Sequence, residues 1–75
     1  MSFEGIIEAN PKIMMGKPVV KGTRITVEII LEKLSSGFSF ADILNAYPNL
    51  NEHQIKAALA FAAESLKGDL LYPVS

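Results

Sequence analysis

The chain has no cysteine and no tryptophan, and it has a single histidine among its 75 residues. Without cysteine, disulfides and thiolate metal clusters are both excluded, and nothing argues for an oxidising compartment. A domain of this length buries only about 60% of the surface of its unfolded chain, so a second protomer would add stability. We therefore expect a single domain, residues 1–75, that forms a homodimer.

Long hydrophobic runs are also missing. Near the N-terminus, glutamates and an Asn-Pro pair interrupt the unbroken apolar stretch that a signal peptide would need. No window of the sequence approaches the roughly 20 apolar residues of a membrane-spanning helix. The sequence therefore predicts a soluble, cytoplasmic protein with no membrane partner.

Residues that could form a catalytic or metal site are few. His53 is the only histidine, and the serines stand at predicted helix caps or at the C-terminus, so no nucleophile is paired with a base. Glu28 and Glu32 have no third ligand for a metal. Gly16 and Gly22 are separated by five residues and lack the Gly-Lys-Ser/Thr ending of a P-loop. We expect no enzyme, no catalytic or metal site, no cofactor and no small-molecule substrate.

Charges of both signs are present, but they are unevenly distributed. The formal net charge is −1, yet residues 9–25 contain no acid, whereas residues 26–75 carry three basic and six acidic groups. A local stripe of cations can contact phosphates even in a nearly neutral chain. Small domains often show a cluster of this size, so charge alone leaves the role of the stripe open. The stripe consists of Lys12, Lys17, Lys21 and Arg24.

The pattern of apolar residues predicts a mainly α fold with a short N-terminal β-hairpin arm in residues 1–25. The runs Ile6-Ile7 and Pro18-Val20 flank an Asn10-Pro11 turn. A two-stranded ribbon is not stable alone, so the hairpin must pack on the helices or pair with another chain.

Residues 26–67 have the apolar spacing of three helices. Val27, Ile30, Leu31 and Leu34 define the first, which stops at Gly37. Capping-box patterns begin a short second helix and a longer third one. They are formed by Ser39 with Asp42 and by Asn51 with Gln54. The expected buried face of the third helix carries Ile55, Leu59, Ala62 and Leu66. Three such helices fit a helix-turn-helix or a generic three-helix bundle.

Some side chains fall outside these buried faces. Ile29 and Phe61 are out of phase with their helices, and the tail, residues 68–75, is rich in apolar side chains. We expect Ile29, Phe61, Leu70, Leu71 and Tyr72 to contact a partner or second protomer, although isolated exposed apolar residues are common. The tail either folds back on the core or adds to a partner.

The motifs of the chain resemble the family catalogued as domain of unknown function 433. The resemblance runs from about Ile6 to Glu64 and rests on Gly-Lys-Pro, Gly-Thr-Arg and Tyr-Pro. Family members commonly have Gly-Gly where this chain has Met15-Gly16. The positions that match the family's motifs are Gly16, Lys17, Pro18, Gly22, Thr23, Arg24, Tyr47 and Pro48.

The resemblance implies a small prokaryotic protein with a three-helix, homeodomain-like helix-turn-helix. It further implies a DNA-binding antitoxin or autorepressor whose toxin partner is a PIN-like ribonuclease. In that reading, the hairpin and the start of the third helix contact DNA. The alternative is a module that binds a partner toxin or self-associates without binding DNA. The predicted DNA-binding residues are Lys17, Lys21, Thr23, Arg24, His53, Gln54 and Lys56.

Overall fold

The computed structural model describes residues 3–67, which form a small hairpin followed by three helices. The two strands are antiparallel, with Ile7 opposite Val20 and Glu8 opposite Val19. This confirms the predicted mainly α fold with a short N-terminal β-hairpin. In chain order the elements are β1 (Ile7–Glu8), a 3-10 turn (Met14–Gly16), β2 (Val19–Val20), α1 (Val27–Ser35), α2 (Phe40–Ala46) and α3 (Glu52–Lys67).

The hairpin is joined directly to α1. The amide of Val27, the first residue of α1, donates to the carbonyl oxygen of Pro18 at 3.0 Å. Val19 and Val20, the two residues of β2, are completely buried, so other parts of the fold cover both side chains of this strand. The hairpin thus packs on the helices of its own chain, the first of the two arrangements that the sequence allowed.

Each helix starts at a capping residue that satisfies amides left free in its first turn. Thr26 accepts a hydrogen bond from the amide of Ile29 at 3.0 Å and begins α1. Ser39 and Asp42 form a reciprocal capping box at the start of α2. Asn51 and Gln54 exchange two bonds of 2.8 Å at the start of α3. Both predicted boxes are therefore confirmed.

The core lies where the three helices meet β2. Its largest fully buried side chains on the helices are Ile30, Ile43 and Ile55, one from each helix. α1 ends at Ser35, and the expected glycine follows at Gly37 with a φ of +106°. Because α1 packs on this core through its apolar face, its charged face remains exposed to solvent.

The buried face of α3 differs from the predicted one. Ala57, expected on the outward side, is completely buried, whereas Leu66, expected in the core, is 62% exposed. The N-terminal segment packs on this helix: β1 contacts α3, and the ring of Phe3 meets the ring of Phe61 edge-on at 5.1 Å. The other helices and the N-terminal segment therefore both pack against α3, whereas Leu66, near its C-terminal end, stays exposed.

Candidate nucleic-acid interface

The loop after β2 is held in one conformation by the hydroxyl of Thr23. This oxygen donates to the carbonyl of Val20 at 2.8 Å and accepts from the amide of Ile25 at 3.0 Å. Gly22 takes a φ of +82°, which favours glycine because it has no Cβ. The loop is thereby fixed with Lys21 and Arg24 exposed. Thr23, a predicted DNA contact, has its hydroxyl engaged in building the loop.

A second turn, between β1 and β2, lies beside this loop. Asn10 accepts a hydrogen bond from the amide of Lys12 at 2.9 Å and stabilises the turn. Ile13 then forms a shallow concavity of about 380 Å³ together with Gly22, Thr23 and Arg24. The fold thus brings the turn that carries Lys12 next to the loop that carries Lys21 and Arg24. We call these three cations the basic edge.

The basic edge is not neutralised within the part of the chain that the structure describes. Lys12, Lys21 and Arg24 are exposed, and none forms an ion pair with a carboxylate in residues 3–67. Lys17 differs, because its ammonium group lies 3.1 Å from the carboxylate of Glu28 on α1. Lys12 was not among the predicted contacts, although the acid-free segment already contained it.

The N-terminal part of α3 carries the other three predicted contacts, and two of these side chains are already bonded to neighbouring residues. The side-chain oxygen of Gln54 accepts from the amide of Asn51 at 2.8 Å. Lys56 lies 3.4 Å from the carboxylate of Glu52. The side chain of His53 is exposed, and it forms no hydrogen bond with any residue in the range 3–67. None of these three side chains lines the concavity at the basic edge.

A second surface is an apolar groove between α1 and the end of α3. Its volume is about 370 Å³. Phe61, a predicted interface residue, lines this groove; Ile29 is half-buried and does not. The other predicted interface residues, Leu70, Leu71 and Tyr72, lie outside the described residues. The groove is lined by Pro18, Val27, Glu28, Leu31, Glu32, Phe61, Ala62, Ser65 and Leu66.

Residues 3–67 form neither a metal-binding cluster nor a membrane-spanning helix. No group of three His, Asp or Glu side chains in this range is placed to hold a metal ion. None of the helices described has both the length and the apolar character needed to cross a membrane.

Comparison with known proteins identifies a family for this chain. The family model described as a protein of unknown function, DUF433, matches residues 7–62. An uncharacterized protein of Sinorhizobium fredii, y4eO, is 36% identical over 64 residues, which is 84% of this chain but only 29% of that protein. The chain therefore spans less than a third of this curated relative.

A solved structure has a similar fold. The crystal structure of a DUF433 member from Anabaena variabilis matches with a TM-score of 0.80 at 22% identity. The match covers 87% of this chain and 64% of that one. The family model covers most of the chain, and the protein therefore belongs to the DUF433 family.

Proposed function

We propose that the protein is a DNA-binding autorepressor, the antitoxin of a prokaryotic toxin–antitoxin pair, and that the basic edge contacts the phosphate backbone. One observation carries the DNA-binding part: three exposed cations on two adjoining turns have no carboxylate partner among residues 3–67. An unpaired cation loses no existing ion pair when it meets a phosphate. The antitoxin part rests on the family resemblance.

The basic edge suits phosphate contact better than base reading. Lysine and arginine side chains that neutralise phosphates supply the sequence-independent part of DNA affinity. At the start of α3, by contrast, Lys56 is paired with Glu52 and Gln54 is used as a cap. Three phosphate contacts are too few for tight binding at cellular salt, so the proposed DNA-binding form is a dimer that doubles them.

The experiment is a salt titration of binding to a duplex from the region upstream of the gene. Each phosphate contact contributes about 0.9 to the slope of log affinity against log salt concentration. The double variant K21A/R24A should therefore bind more weakly, with a slope shallower by roughly 1.8 per protomer. Light scattering in the same buffers gives the number of protomers.

A matched control removes two positive charges from α3. K56A/K67A changes the net charge equally, but both lysines are paired on their own helix, with Glu52 and Glu64 respectively. We expect this variant to keep the wild-type salt slope. A slope that falls only in the control would move the DNA contact to α3, and a wild-type protein that ignores the duplex would refute DNA binding.

A second candidate function is a module that binds a protein partner, for which the family resemblance suggests a PIN-like ribonuclease. The apolar groove favours it, because exposed apolar concavities are typical of protein-binding surfaces. Under this candidate, the ribonuclease binds both double variants as tightly as it binds the wild type. The two functions are compatible, since the basic edge and the groove share no lining residue.

A further inference from the structure

The apolar groove is an unfilled surface in the part of the chain that the structure describes. Its walls are Leu31 on α1 and Phe61 and Ala62 on α3, all of which are only partly buried. Leu66 stands at its end and is 62% exposed. Leu66 thus extends a continuous apolar patch with these three side chains, and a contiguous patch, unlike a single exposed leucine, marks a surface that another group covers.

The segment that follows α3 has the composition to cover this groove. Residues 68–75 read Gly-Asp-Leu-Leu-Tyr-Pro-Val-Ser, in which Asp69 is the only charged side chain. Gly68 comes directly after Lys67, the last residue of α3. Glycine at this position is the residue that most readily lets a chain reverse direction after a helix. A reversal at Gly68 would direct the chain back toward Leu66.

The length of the segment also fits. Phe61 lies six residues before Lys67, which is about 9 Å along the helix axis at 1.5 Å per residue. The six residues from 69 to 74 can span up to about 20 Å when extended. Leu70, Leu71 and Tyr72 can therefore reach the whole stretch of α3 that lines the groove.

We propose that residues 69–74 fold back and fill the groove of their own chain. A segment tethered at the end of the groove has an effective concentration in the millimolar range, far above that of a second chain in dilute solution. Docking within one chain is thus favoured over docking on another copy. The proposal does not depend on DNA binding, and it means that a protein partner of the groove must first displace this segment.

The experiment uses the full chain and nuclear Overhauser contacts. We expect contacts from the ring protons of Tyr72 to the methyl groups of Leu31 and Leu66. A sample that mixes ¹³C-labelled and unlabelled chains separates contacts within a chain from contacts between chains. The proposal predicts contacts within one chain only. Contacts between chains would assign the groove to a second copy, and the absence of both would overturn the proposal.

Amide hydrogen exchange supplies an independent check with matched variants. Y72S should release the segment and speed exchange of the amides from Ala62 to Leu66 several-fold, because the covering side chain is lost. D69S makes a substitution in the same segment but removes no apolar side chain, so these amides should stay at least as protected as in the wild type. Equal exchange in Y72S and the wild type would contradict the proposal.

Discussion

The tip of the hairpin holds two methionines in a backbone conformation that side chains disfavour. Met14 and Met15 have φ values of +48° and +58°. Met15 is also 87% exposed, so its side chain gains little from burial. The left-handed conformation costs a residue with a Cβ about 1 to 2 kcal/mol. Met15 stands where members of the family commonly have glycine, which fits this conformation.

Replacing Met15 with glycine should therefore stabilise the fold. We expect M15G to raise the free energy of unfolding by roughly 0.5 to 1 kcal/mol, since relief of the left-handed strain exceeds the entropy cost of glycine. Urea denaturation measures the change. The control M15A removes the long side chain but keeps the Cβ, so it should bring no gain. Equal gains in both variants would show that exposure of the side chain, not backbone strain, is responsible.

At the scale of the elements, the helix starts were predictable and the packing of α3 was not. Capping boxes are local patterns, so Ser39 with Asp42 and Asn51 with Gln54 could be read from their spacing. The buried side of α3 depends on β1, which lies far away in sequence. Periodicity centred on Ile55 could not anticipate that β1 and Phe3 would pack against the same helix.

The candidate site was predictable to a similar degree. Lys21 and Arg24 could be identified because they lie within residues 9–25, a segment that contains no acid. The sequence could not show that Lys17 would pair with Glu28, eleven residues away. Nor could it show that the turn with Lys12 would lie beside Arg24, since that placement depends on the fold, in which Ile13 and the loop after β2 line one concavity.

The start of α3 offers a test that separates capping from DNA contact. Q54A removes the oxygen that accepts from the amide of Asn51, so we expect a loss of roughly 0.5 to 1 kcal/mol in stability, measured by urea denaturation. Q54E keeps such an oxygen and places a negative charge near a helix N-terminus, so its stability should match the wild type or slightly exceed it.

The same pair of variants should leave DNA binding unchanged if Gln54 acts only as a cap. A negative charge that lies against phosphates would weaken binding, so the duplex affinity of Q54E is the informative quantity. An affinity drop in Q54E without any loss of stability would place Gln54 at the DNA and show that capping is not its only role.

The molecule as a whole is nearly neutral, with seven basic and eight acidic side chains. Among residues 3–67, the ion pairs are Lys17 with Glu28, Lys56 with Glu52 and Lys67 with Glu64. The paired side chains are between 54% and 70% exposed. Exposed pairs of this kind contribute about 0 to 1 kcal/mol each. The fold therefore depends on its apolar core rather than on charge.

Salt should consequently separate folding from binding. Between about 0.05 and 0.5 M sodium chloride, we expect the free energy of unfolding to change by less than about 1 kcal/mol, because screening acts on isolated surface pairs. Over the same range, three phosphate contacts per protomer would reduce duplex affinity by roughly 500-fold for a single protomer and by more for a dimer. Urea denaturation and duplex titration in identical buffers measure the two quantities. If stability fell as steeply as affinity, loss of the folded protein would explain the weaker binding, and the basic edge would lose its role in it.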